Sequence, residues 1–267
     1  MLGAIIGDIV GSIYEFNNIK TSDFEFLNEK CFFTDDTVMS CAIARALLDS
    51  EGKPELLQTY AKVWQRIYGK DYPGAGYGGR FLVWLNEEFP EPYGSWGNGA
   101  AMKISPVGWV ANSEEEVEQL SADITCLTHN HPEGRKGAEA TAMCVYLART
   151  GKTKQEIKEY VNARYYDLGL FTSVDELREK YSWHSGCKNC VPQAIYCFLE
   201  SENFEDCIRK VISIGGDSDT LAAIAGGIAE AFYGIPLEIY TKARTFLTND
   251  LLKDVDEFEA KYGKKVI

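Results

Sequence analysis

Two aspartate clusters carry the clearest chemistry in this chain. One reads Thr34-Asp35-Asp36-Thr37, and the other reads Gly215-Gly216-Asp217-Ser218-Asp219-Thr220. A helix-period apolar pattern follows each directly, so each sits where a helix should begin. The carboxylates of Asp35, Asp36, Asp217 and Asp219, gathered in one folded interior, would repel strongly. Two divalent cations would cancel their charges. Carboxylates and threonine hydroxyls are hard oxygen ligands, which suit Mg²⁺ or Mn²⁺ rather than zinc. The leading expectation is a two-metal hydrolytic site built from both ends of the sequence. The competing reading is structural, because Asp, Ser and Thr are favoured N-caps and first-turn acids complement the helix dipole. Capping accounts for either cluster alone. It accounts less well for the second, where Asp217, Ser218, Asp219 and Thr220 all follow a diglycine.

Three further segments hold reactive residue types. In the stretch Gly3 to Phe16, glycines 3, 7 and 11 share one helical face, while Asp8 and Glu15 are the charged members of an otherwise apolar run. Buried carboxylates need partners or metals. For Asp8 a simple pairing with a basic residue stands beside a role in a site, and Glu15 is a candidate acid/base or loose metal ligand. The run Gly94-Ser95-Trp96-Gly97-Asn98-Gly99-Ala100-Ala101-Met102-Lys103 exposes backbone ahead of a helix, a cradle for phosphate or ribose or an ordinary glycine-rich turn. Thr128-His129-Asn130-His131-Pro132 holds two of the chain's 3 histidines. His184-x₂-Cys187-x₂-Cys190 supplies only three zinc ligands where a structural site needs four, so reduced packing thiols are the better reading of all 8 cysteines.

The elements that must position these groups are helical. Met39, Ala42, Ile43, Ala46 and Leu47 follow the helix template, as do Ala138 to Tyr146, Phe204 to Ile212 and Leu221 to Phe232. Further helices are expected at Pro54 to Tyr68, Ser113 to Leu127, Lys154 to Tyr165, Val191 to Leu199, Leu237 to Phe246 and Leu251 to Tyr262. Pro54, Pro192 and Pro236 suit first-turn positions, and Ser113 with Glu116 fits a capping box. Phe24, Phe26 and Cys31-Phe32-Phe33 are the one candidate ribbon. Nothing alternates strand with helix, and no composition break or repeat divides the chain. The expectation is one all-α domain over residues 1–267. A net charge of −13 argues against a nucleic-acid or anionic-membrane partner. No apolar run is long enough to span a bilayer and the start lacks a basic leader region, so a cytoplasmic location is the default.

Taken in order, the opening Gly-Asp-x₂-Gly-x₃-Glu, Thr-Asp-Asp-Thr, Gly-Asn-Gly-Ala-Ala-Met, Thr-His-x-His-Pro and Gly-Gly-Asp-Ser-Asp-Thr resemble the ADP-ribosylglycohydrolase family from Gly3 to about Gly234. The resemblance implies a compact orthogonal multi-helix fold with a binuclear Mg²⁺ or Mn²⁺ cleft. It implies metal ligands Thr34, Asp35, Asp36, Asp217, Asp219 and Thr220. Gly97, Asn98, Gly99, Ala100, Met102 and His129 would line the ADP-ribose cleft, and Gly215 and Gly216 would let backbone approach the ligand. Glu15, Asp36 and Asp219 are the candidate proton acceptors for water attack at ribose C1″. Lys103 stands where the family more often has Arg, which weakens any bidentate contact. The acceptor linkage, the choice between Mg²⁺ and Mn²⁺ and the oligomeric state stay open. So do two rival activities: a two-metal phosphoesterase or nucleotide hydrolase, and a non-catalytic ADP-ribose-binding module.

Overall fold

The first helix is built to touch another helix backbone to backbone. In the computed structural model, which describes residues 1–263 and 266–267, α1 (Leu2–Gly11) is buried along its whole length. Its glycine face meets α12 (Ser218–Tyr233), and the α1–α12 seam is the most extensive helix pairing in the molecule. A Cβ on Gly3 would lie 2.3 Å from Gly226 O, one on Gly7 1.9 Å from Ala222 O, and one on Gly11 2.5 Å from the Asp219 Cα. Only glycine fits at that separation. The spacing of Gly3, Gly7 and Gly11 therefore delivers the second aspartate cluster to the end of α1.

The other helices wrap this pair. In chain order they are α2 (Asp35–Asp49), α3 (Leu57–Asp71), α4 (Gly79–Asn86), α5 (Ser105–Val110), α6 (Glu114–Thr125) and α7 (Pro132–Arg149). Then follow α8 (Lys154–Arg164), α9 (Val174–Lys180), α10 (Cys187–Leu199), α11 (Phe204–Ser213), α13 (Leu237–Arg244) and α14 (Asn249–Tyr262). Among the described residues there is no strand, only isolated bridges between Gly97 and Gly186 and between Ile235 and Val266. The fold is all-α. Around α12 pack α1, α7, α10 and α11, while α2 lies on α3, α14 and α1.

Several local expectations are corrected. Residues 24–30 form a bend and turns and residues 31–33 are irregular, rather than a ribbon. Helix α10 starts at Cys187, so Pro192 falls inside it, while Pro54 opens a short 3₁₀ turn and Pro236 is the N-cap of α13. At α6 the box is incomplete: Ser113 accepts from Glu116 N–H, but Glu116 accepts from Asn112 N–H at 2.7 Å. The reciprocal capping box is at Thr153 and Glu156. Three short helices, α4, α5 and α9, have too few turns to show a period.

Candidate active site

Both acidic clusters open helices, but capping uses little of them. At α2 the cap is Thr34, whose side chain accepts from Asp36 N–H. At α12 Asp217 occupies the N-cap position without a side-chain cap bond. It accepts instead from Asn98 Nδ2 at 2.7 Å. Asp35, Asp36 and Asp219 lie in first turns, and the two clusters meet: Thr220 Oγ1 donates to Asp36 Oδ2 across 3.3 Å.

Among the described residues Asp8 has no basic partner. Its carboxylate accepts from Thr34 N–H (2.9 Å), Thr34 Oγ1 (2.8 Å), Thr37 N–H (3.1 Å) and Thr37 Oγ1. A buried acid on α1 thus fixes the first turn of α2. The donors come from an element distant in sequence, which is why residue type alone suggested a salt bridge.

Two groups of carboxylates have oxygens within 4.8 Å of one another: Asp8, Asp36 and Asp219, and Glu15, Asp217 and Asp219. Asp36 Oδ1 is buried with no hydrogen-bond partner among the described residues. Burial pushes the Asp36 carboxyl well above the carboxylate range, and the charges of Asp8, Asp35 and Asp217 add to it. Asp219 is raised well above its usual value by burial and by Asp36 and Asp217. Burial, Asp8 and Asp217 lift Asp35 to about 7, and burial, Asp217 and Asp8 lift Glu15 to about 7. Asp8 reaches only about 6, because its threonine bonds offset burial. All-oxygen donors, an orphaned buried carboxylate oxygen and uncompensated negative charge are what a hard divalent cation requires.

The carboxylates floor a cleft of about 580 Å³. Thr34, Asp35, Asp36, Asp217, Asp219, Thr220 and Glu15 line it, as do Gly97, Asn98, Gly99, Met102 and His129. Ala100 is buried and, like Gly215 and Gly216, is not among the lining residues. The diglycine turns behind the wall instead, against Asn18, Lys20 and Tyr181. The Gly94–Ala101 loop is pinned by Asn98 N–H to Ser185 O (2.7 Å) and by Cys187 N–H to Trp96 O (3.0 Å). A second loop, which carries Gly74, Gly76 and Gly78 along the cleft, is pinned by Asp35 N–H to Ala75 O at 2.8 Å.

His129 Nδ1 bonds Thr128 Oγ1 at 2.7 Å, and the ring packs under Gly99. Burial, then repulsion from Lys103 and Arg80, holds it neutral, well below the usual histidine value. His131 is the N-cap of α7. The Cys187 thiol donates to Gly97 O and the Cys190 thiol to His184 O, each at 3.1 Å, and all 8 cysteines are free, as packing thiols.

The sequence reading missed part of the wall. Arg80, Phe81, Tyr93 and Trp183 face the same cleft. Arg80 sits 4.8 Å over the Tyr93 ring. Lys103 is 1% exposed, donates to Gln65 Oε1 at 2.7 Å, and is lowered to about 8 by burial. Among the described residues, Arg80 and Lys103 are the basic side chains of a cleft otherwise floored by acids. Arg80 left no signal in the sequence, being an ordinary polar residue of a short helix.

A family model described as ADP-ribosylglycohydrolase matches residues 1–264. The chain belongs to that family. Within it, the chain is similar to mouse ADP-ribosylhydrolase ARH3, 29% identical over 88% of this chain and 83% of the relative. It is also similar to ADP-ribosyl-[dinitrogen reductase] glycohydrolase of Rhodospirillum rubrum, 24% identical over 98% of this chain and 95% of that one. A solved structure titled "ADP-ribosylglycohydrolase-related protein complex" shares the fold, with a TM-score of 0.64 at 21% identity, covering 98% of this chain and 93% of the other.

Proposed function

We propose that this chain hydrolyses the glycosidic bond at ribose C1″ of ADP-ribosylated side chains or small ADP-ribose adducts, releasing ADP-ribose. The observation that carries the reading is the unpartnered Asp36 Oδ1, buried among like-charged groups at the floor of a cleft whose wall also holds Arg80 and Lys103. Thr34, Asp35, Asp36, Asp217, Asp219 and Thr220 would hold two divalent cations, Mg²⁺ or Mn²⁺. Such cations supply Lewis acidity to sugar oxygens and to water.

The chain's own residues supply the rest. Asp8 orients Thr34 Oγ1 through its 2.8 Å bond, as an outer partner orients a ligand. Glu15, raised to about 7 and half-buried beside Asp217, takes the proton of the attacking water. Asp36 and Asp219 are the other acceptors within reach. Positive charge from Arg80 and Lys103 suits a diphosphate. The glycines at 97 and 99, close against the His129 ring, leave room for a sugar phosphate.

The test is a panel of ADP-ribosyl-arginine, ADP-ribosyl-serine and O-acetyl-ADP-ribose, run with Mg²⁺, with Mn²⁺ and with chelator. Free ADP-ribose is the expected product, and released phosphate or AMP would favour phosphoester cleavage. Asp36→Ala and Asp219→Ala should each abolish turnover with the helical circular dichroism spectrum retained. Full activity in either variant rejects its assigned role.

A further inference from the structure

The turn that presents Asp217 is gripped from outside the cleft. Between α11 and α12 the chain reverses through Gly215 and Gly216, both left-handed at φ +73 and +84. Asn18 closes on the second of them with both ends of its amide. Its Nδ2 donates to Gly216 O at 2.8 Å, and Gly216 N–H donates to its Oδ1 at 2.7 Å. The same Nδ2 faces Tyr14 O (2.6 Å) and Glu15 O (2.9 Å). One side chain therefore ties the backbone of Glu15 to the residue before Asp217. Lys20 grips the first half of the turn, donating to Ile214 O at 2.5 Å and Tyr181 O at 2.8 Å. Tyr181 closes the other face, since a Cβ on Gly216 would lie 2.4 Å from its ring.

We propose that Asn18 is a positioning residue for the Glu15, Asp217 and Asp219 group, its clasp on Gly216 setting the separation of those carboxylates for a divalent cation. This rests on the cation reading above. The carboxylates repel one another, and two glycines in succession give the turn freedom to relax outward. The clasp opposes that relaxation. Asn18 is exposed, so water can replace its bonds in a variant, and the effect falls on cation affinity rather than on folding.

The experiment compares wild type, Asn18→Ala and Lys20→Met by Mn²⁺ titration calorimetry, by amide hydrogen exchange in chelator and by thermal melting. Asn18→Ala should weaken Mn²⁺ binding about ten- to a hundredfold, the range seen on removing outer-shell partners. Its Gly216 to Asp219 amides should exchange faster in chelator, with the melting temperature near wild type. Lys20→Met, which leaves the Glu15 tie intact, should loosen the turn at Ile214 and keep Mn²⁺ affinity near wild type. Undiminished Mn²⁺ affinity in Asn18→Ala, with wild type binding, overturns the clasp and leaves the cation reading standing. No Mn²⁺ binding by wild type overturns both. Loss of a cooperative melt in Asn18→Ala assigns the residue to folding and also overturns the proposal.

Discussion

Replacing Gly7 by alanine tests whether the α1–α12 seam assembles the site. The added Cβ would meet Ala222 O at 1.9 Å and Ala222 C at 2.2 Å, both backbone atoms, where contacts under 3.0 Å do not occur. No rotamer relieves a clash with backbone, so the helices must part by roughly 1 Å, enough to forfeit a quarter to a half of the dispersion attraction along the seam. Overpacking a core costs about 1–3 kcal/mol. A rigid backbone neighbour places Gly7→Ala at the upper end, about 3 kcal/mol. In a chain of this size that lowers the melting temperature by roughly 6–12 °C. A Cβ added at Gly79, the first residue of α4, would have nothing within 4 Å. Gly79→Ala should therefore hold the melting temperature or raise it, by up to about 1 kcal/mol of stability. Circular dichroism melts of both variants in chelator read this directly. Parting the helices also moves Asp8 away from Asp219, so Mn²⁺ affinity should fall in Gly7→Ala alone. A Gly7→Ala melt within about 2 °C of wild type would refute the close-approach argument.

Stability without cations should fall as pH rises. Asp8, Asp35 and Glu15 titrate at about 6, 7 and 7 in the folded chain, above their unfolded values near 4, so between those limits the native state binds more protons and the slope is negative. Melting in chelator should rise by several degrees from pH 8 to pH 5, and saturating Mg²⁺ or Mn²⁺ should flatten the curve; a flat curve in chelator would refute the raised carboxyls. Arg80→Ala should weaken ADP-ribose binding about tenfold, a loss of roughly 1.4 kcal/mol typical of a charge-assisted hydrogen bond. Because Arg80 is exposed, the wild-type affinity should weaken with salt and the variant's much less; equal salt slopes in calorimetry would place Arg80 away from the diphosphate.

The helices legible in the sequence were those long enough to repeat an apolar face, such as α2, α7, α11 and α12. Periodicity needs several turns, so α4 (Gly79–Asn86), α5 (Ser105–Val110) and α9 (Val174–Lys180) left none to read. The start of α10 was misplaced because Pro192 reads as a first-turn residue, whereas the helix carries it internally. At the site, acids in an apolar context announced themselves, since buried charge needs an explanation. Their partners did not. Thr37 as a donor to Asp8, Asn98 as a donor to Asp217 and Asn18 as the clasp on Gly216 are common polar residues whose meaning comes only from contacts across the fold. Lys103 drew notice as a substitution, but its burial against Gln65 and Phe81 depends on α3 and α4 closing over it.

A charge count explains why this arrangement asks for cations. Asp8, Glu15, Asp35, Asp36, Asp217 and Asp219 bring six negative charges to one cleft floor when ionised. The N-termini of α2 and α12 point there, and each helix end is worth about half a positive charge. Lys103 adds one more, and its charge acts on Asp35. With the exposed Arg80 of the cleft wall left out of the floor's count, a deficit of about four charges remains, and two divalent cations would cancel it. Without them, protons must do part of the work, and the raised carboxyls of Asp8, Asp35 and Glu15 are that substitution. Protons and cations therefore compete for the same oxygens. Lowering the pH should release Mn²⁺ and steady the chelated protein over one shared interval. Two well-separated intervals would mean that different groups bind the metal and set the stability.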